Sequence, residues 1–260
     1  MKRCLMLFLA VAISGAVFMS CGKLGCDSGD QSPEAGKVEI VIYELSNPDE
    51  ALNQIKNSIT ATQWSKYLDK RSGIDTDDPI LTCFSAGVKS ANALLAVYNG
   101  DYQTAEAIAD SLKNISTRLR VDVEGIASAV KSLKDALNEQ DAKLKAQKVK
   151  DALNLLRDRV VKTMNDVNKK EYALAIQYGL WVESVRHASG FVSDSYSAKA
   201  SNVLNRKTEA EYFQREFTAL GSSNSFYTEA AESSAKFAAL MTAKKGILAK
   251  GAVADIHGLA

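Results

Sequence analysis

Proline is nearly absent from this chain of 260 residues. Pro33, Pro48 and Pro79 are all it has, and none follows Pro79. An interior proline costs a helix roughly 3 kcal/mol, so the long stretch after Pro79 is free to form unbroken helices. Histidine is scarcer still. His187 and His257 are too far apart in sequence for a zinc pair, and no H-E-x-x-H occurs. No G-x-S-x-G elbow presents a nucleophilic serine, and no G-x-x-x-x-G-K-[ST] loop could cradle a phosphate. Asp75-x-Asp77-Asp78 is acidic enough for calcium, but Pro79 and Ile80 then occupy positions that need a ligand and a glycine. These gaps predict a non-enzymatic protein with no metal and no cofactor. An excess of one charge is missing too: 32 basic residues face 31 acidic ones, a formal net of +1. Nucleic-acid binding draws on a basic surplus, so nucleic acid is not the expected partner.

What is present points to helices. The chain is 46% hydrophobic and 24% charged, an ordinary globular composition. Tight hairpin signals between alternating runs are rare. Apolar residues instead recur three and four apart. The expected fold class is all-α, either an antiparallel helical bundle or a short array of helical hairpins. Val38–Leu45 reads either as one short N-terminal strand or as the lead-in to the first helix.

Capping signals set the boundaries. Asn47-Pro48 and Asp78-Pro79 each combine a capping side chain with a proline at the first helical position. Ile80, Leu81, Phe84, Val88, Ala91, Leu95 and Tyr98 form the stripe of the helix after Asp78. Asn99-Gly100 ends that helix and Asp101 caps its partner, so short a turn that the two must pack antiparallel. Asp122 and Asp141 start two more. The second, over 142–167, would be about 39 Å long. A further helix carries Tyr172, Ile176, Leu180 and Val185 and is expected to end before Gly190. Residues 193–205 form a weaker helix. Thr208 and Glu211 make a capping box for the run that Gly221 stops. The last helix carries Phe226, Ala230, Phe237, Leu240 and Met241, and the glycine-bearing tail from Gly246 is expected to fray.

The first residues carry an address. Lys2 and Arg3 precede an uncharged, apolar run from Leu5 to Met19, too short to span a bilayer comfortably but fitting a signal peptide. Phe18-Met19-Ser20-Cys21 resembles the lipobox of bacterial lipoproteins. The resemblance implies lipidation at Cys21, cleavage before it, and anchoring to a membrane by two or three acyl chains. Gly22 in the next position implies the outer membrane, on its periplasmic side. Residues 1–20 are then a lipoprotein signal peptide, 21–37 a flexible tether rich in Gly, Ser and Asp, and 38–260 a single α-helical domain. Cys26 and Cys83 remain, either as a disulfide or as two separate thiols.

Two segments are alike: Tyr102-x-x-Ala105-x-x-x-Ala109 and, 70 residues on, Tyr172-x-x-Ala175-x-x-x-Gly179. With Gly100-Asp101 they resemble the helical hairpins of tetratricopeptide repeats, whose period is about 34. The alternative is a closed bundle with small residues at its helix crossings. Residues 142–170 hold nine basic and three acidic residues, either a solvated helix face or an anion-contacting one. Tyr172, Tyr178 and Trp181 adjoin that run, and Arg186 and His187 follow. These five are the candidate ligand or partner surface, with core packing as the alternative for the aromatics and a cationic helix end as the alternative for Arg186 and His187. The functional expectation is a lipid-anchored cell-envelope protein whose helical domain binds a protein partner. A periplasmic small-ligand carrier or transporter accessory is the alternative.

Overall fold

The computed structural model describes residues 52–55, 64–68, 76–120, 123–166, 169–242 and 247–260. Residues 1–37 and 38–260 separate into two compact units, and every described residue belongs to the second. Cys21, Cys26, the tether, Val38–Leu45 and the Asn47-Pro48 helix start lie outside the described residues.

The fold is all-α, a helical bundle, and no β-strand occurs among the described residues. Residues 52–55 are helical and Trp64–Lys66 is a 3-10 turn. Then come α1 (Pro79–Tyr98), α2 (Tyr102–Leu119), α3 (Val123–Leu137), α4 (Ala142–Asp166) and α5 (Lys170–Asp194). The short α6 (Ala198–Ser201) leads through a 3-10 turn (Asn202–Leu204) to α7 (Lys207–Leu220), α8 (Ser225–Leu240) and α9 (Lys250–Leu259).

Three helix starts follow the capping signals, while Asp122 lies outside the described residues. Asp78 Oδ1 accepts from the amides of Ile80 at 2.7 Å and Leu81 at 3.2 Å, with Pro79 in the first turn. Asp101 Oδ1 accepts from the Thr104 amide at 3.0 Å, after Gly100 turns the chain with φ +75°. Asp141 Oδ1 accepts from the Leu144 amide at 2.7 Å. Each bond satisfies an amide that the helix leaves without a carbonyl.

The centre is the pair α1 and α5, the most closely packed helices of the bundle though far apart in sequence. Both are buried on nearly all sides, which is why α5 lacks a clean apolar stripe. Glycines permit the approach. A Cβ on Gly87 would lie 2.0 Å from the Ile176 carbonyl oxygen, and one on Gly179 would lie 2.1 Å from that of Phe84. The helix α1 is long and apolar enough to cross a membrane, but most of it is buried inside this bundle. Around the central pair, α2 packs on α1, α3 on α2 and α4, and α4 on both central helices. The α7–α8 hairpin joins α5 through aromatic rings, and α9 lies on α5 and α8. Phe191, Phe213, Phe217 and Phe237 are fully buried, each worth about 1.5–3 kcal/mol in apolar burial.

Several sequence expectations are corrected. The helix α5 does not stop at Gly190 but continues to Asp194, because the glycine accommodates the Tyr67 ring: a Cβ there would be 2.6 Å from it. Of residues 193–205, Ser193 and Asp194 end α5 and the rest form only a short α-turn and a 3-10 turn. Thr208 and Glu211 make no capping box. The N-cap of α7 is Arg206, without a side-chain cap, and Thr208 falls inside the first turn. The tail is helical rather than frayed, since Val253 and Ile256 are buried against the bundle.

Candidate functional site

The densest collection of polar chemistry lies within the core, on α5. Glu183, Arg186 and His187 are three and four residues apart and so share one side of the helix. Glu183 is buried, with its side chain 4% exposed. Its Oε1 accepts from Arg186 Nη2 at 2.6 Å and from Asn92 Nδ2 of α1 at 2.8 Å. Its Oε2 accepts from Arg186 Nε at 2.8 Å, and His187 Nε2 lies 3.2 Å from Oε1. Burial on its own pushes the Glu183 carboxyl up. The hydrogen bonds and charges of Arg186 and His187 outweigh it and hold the pKa at about 2. The group is therefore an anion at neutral pH.

The cluster also ties down the N-terminal segment. Arg186 Nη2 donates to the Tyr67 carbonyl at 2.7 Å, and the Tyr67 hydroxyl donates to the Gly190 carbonyl at 3.2 Å and to the Asp194 carboxylate. The Tyr67 ring meets Phe191 at 4.2 Å between centroids. At the other end of the chain, His257 Nδ1 of α9 lies 3.2 Å from Ser189 Oγ. This serine is fully buried and donates back to the Val185 carbonyl at 2.7 Å. The pair joins α9 to α5.

The expected ligand or partner residues thus divide. Tyr178, Trp181 and His187 are buried, 4%, 3% and 1% exposed. Tyr178 and Trp181 belong to an aromatic cluster with Phe213, at 5.1 and 5.3 Å between centroids, which fastens α7 to α5. Burial pushes the Tyr178 hydroxyl up to about 12, against a smaller lowering by the nearby Ser234 and Ser233 hydroxyls. Trp181 Nε1 donates to Glu209 Oε2 at 3.0 Å, and Arg206 Nη1 reaches the same oxygen at 3.3 Å. Tyr172 is half-buried with Lys169 Nζ 4.6 Å above its ring. Arg186 and His187 do not mark a helix end; they serve Glu183 in mid-helix. Sequence reasoning missed Asn92, Glu183 and Glu209. For Asn92 and Glu183 the only signal was a polar residue on a helix buried on nearly all sides; for Glu209 it was an acid on the buried face of an amphipathic helix.

Open clefts on the surface of the described residues include the following pair. One, of about 420 Å³, runs between α3 and α4 past Ala136, Lys148, Ala152 and Leu155. The other, of about 390 Å³, is lined by Gln54, Asn202, Val203, Asn205, Arg206, Thr208 and Glu209. Among the described residues no group of three or more His, Cys, Asp or Glu side chains is placed to hold a metal ion. Cys83 is free and buried in α1. No protein-family model matches the chain, and neither the curated proteins nor the solved structures contain a match.

Proposed function

We propose that this is a lipid-anchored protein of the cell envelope, attached through Cys21 on the periplasmic side of the outer membrane, whose helical domain binds a protein partner without catalysis. The observation that carries the binding role is the cleft beside α7. Its walls are side-chain amides from Gln54, Asn202 and Asn205, the Thr208 hydroxyl, and the Arg206–Glu209 ion pair. Small-molecule pockets are mostly apolar with a few placed polar groups. A shallow cleft that is polar almost throughout fits a partner's backbone and polar side chains better, through direct and water-mediated hydrogen bonds. The buried groups of α5 support the non-catalytic reading, because Glu183 and Ser189 already bond to neighbours within the bundle.

Two experiments test this. Mass spectrometry of the native membrane-fraction protein should find an acylated N-terminal Cys21, and Cys21→Ala should abolish it; an unacylated wild-type terminus defeats the anchor. A photo-crosslinking residue at Asn205 should give a discrete protein adduct in intact cells, lost when Asn202 and Thr208 are replaced by bulky arginine. Absence of any adduct, with a thermal shift on adding small polar metabolites, would favour the carrier reading.

A further inference from the structure

We infer that the outer face of α4 rests on the surface of an anionic lipid bilayer. Leu144 and Leu155 are two of the three large apolar side chains that stand most exposed among the described residues, 45% and 44%. They are eleven residues apart, three turns of helix, and so point within about 20° of one another. Val149, Ala152, Leu153 and Leu156 are buried in the bundle, so the leucines look outward. Lys143, Lys148, Arg159 and Lys162 are exposed along the same helix. Leucine tips among cationic stems suit the boundary between headgroups and acyl chains, with the ammonium and guanidinium groups reaching the phosphates.

The charge is segregated. On α4 four exposed cations, Lys143, Lys148, Arg159 and Lys162, stand against two exposed acids, Asp151 and Asp158, in a chain whose formal net is only +1. A second copy of this face would meet a like surplus of charge, whereas an anionic surface attracts it. The attraction is moderated within the face. Lys148 pairs with Glu139 at 2.6 Å, Asp158 takes Arg157, and Asp151 accepts from Gln147. A contact of this strength becomes useful once the domain is held nearby. An anchor at Cys21 would raise the local concentration of the face at the bilayer. The orientation rests on the anchor proposed above; the attraction of the face for anionic lipid does not.

Lysine footprinting on the full-length acylated protein separates these points. The protein is reconstituted in vesicles of phosphatidylcholine alone, or with roughly one third phosphatidylglycerol, and its amines are modified briefly and mapped by mass spectrometry. On anionic vesicles Lys143 and Lys162 should react several-fold more slowly than on neutral ones, while Lys207 and Lys236 on α7 and α8 react equally on both. About 0.5 M salt should remove the protection, because it shortens the screening length to a few Å. Lys143→Glu with Lys162→Glu in one chain should abolish any remaining lipid dependence, read at Lys148. If the purified protein proves to carry no lipid, the same variant is compared with wild type by co-sedimentation with anionic vesicles; loss of binding upholds the face although the anchor has failed. Equal reactivity of Lys143 and Lys162 on both vesicles overturns the inference. So does protection that arises only in envelope extracts and never on pure anionic lipid, which would assign the face to a protein.

Discussion

Asn92 Nδ2 and Glu183 Oε1 lie 2.8 Å apart, both buried, on helices separated by 91 residues of sequence. The amide also donates to the Val88 carbonyl of its own helix at 3.1 Å. One side chain therefore joins the α1 backbone to the carboxylate that organises Arg186 and His187 on α5. The bond lies across the closest helix pair of the bundle, so its effect should be felt by the whole domain.

Replacing Glu183 by Gln removes the charge that Arg186 is matched to and leaves a buried cation with poorer acceptors. Breaking a buried pair from one side typically costs about 3–5 kcal/mol, and the glutamine keeps a carbonyl, so about 3 kcal/mol is expected. Urea unfolding followed by circular dichroism should show a lower midpoint with an unchanged slope. Asn92→Ala combined with Glu183→Ala should cost less than the two separate losses together. Strict additivity would mean that the bond across α1 and α5 contributes nothing.

Stability should depend on this carboxylate in acid. Its pKa falls from 4.5 to about 2 on folding. A depressed carboxyl stabilises the fold at pH values above its unfolded pKa, and the benefit is lost as pH falls towards the folded one. The span corresponds to about 3 kcal/mol. Wild type should therefore lose stability between about pH 4.5 and 2 more steeply than Glu183→Gln. Parallel curves in that window would contradict the assignment.

Two glycine substitutions should have opposite signs. Gly87→Ala puts a Cβ 2.0 Å from the Ile176 carbonyl and 2.6 Å from the Leu180 amide, both backbone atoms that a rotamer change cannot move. The helices would have to part, and a loss of about 3 kcal/mol or more is expected, at or beyond the upper end of ordinary overpacking. Gly251 sits in α9 with nothing within 4 Å of its missing Cβ. Gly251→Ala should therefore stabilise by about 0.5–1 kcal/mol through helix preference alone. Thermal denaturation of the pair reads both.

Cys83 should be chemically silent in the native protein. Burial pushes its thiol up to about 12, against a smaller lowering by Lys169. The thiolate is the reactive form, so a thiol reagent at about pH 8 should modify this residue only as fast as the bundle unfolds. Rapid labelling without denaturant would show that α1 is more accessible than its packing implies.

The C-terminal helix should be a structural part of the domain. Ile256 is fully buried, and Ile256→Ala should cost about 2–5 kcal/mol, as core truncations do. A loss under about 0.5 kcal/mol, measured by urea titration, would mean that the tail frays after all.

Short-range signals made most of the fold legible in advance. The helices over 79–98, 102–119 and 142–166 start at Asp78, Asp101 and Asp141 because a carboxylate beside a free amide is a local event. Their apolar spacing is local too, and it was sufficient to specify an all-α chain. The tertiary structure decided everything that depends on a neighbour remote in sequence. Gly190 looked like a helix stop and proved to be room for Tyr67. Thr208 looked like a cap and fell inside the first turn. Trp181 read as either a ligand-surface aromatic or core, and it is core, donating to Glu209. Glu183 carried no message of its own, since a lone acid in a helix usually faces water. Its meaning came from Asn92, Arg186 and His187 arriving around it, and only the packing of α1 against α5 brings them together.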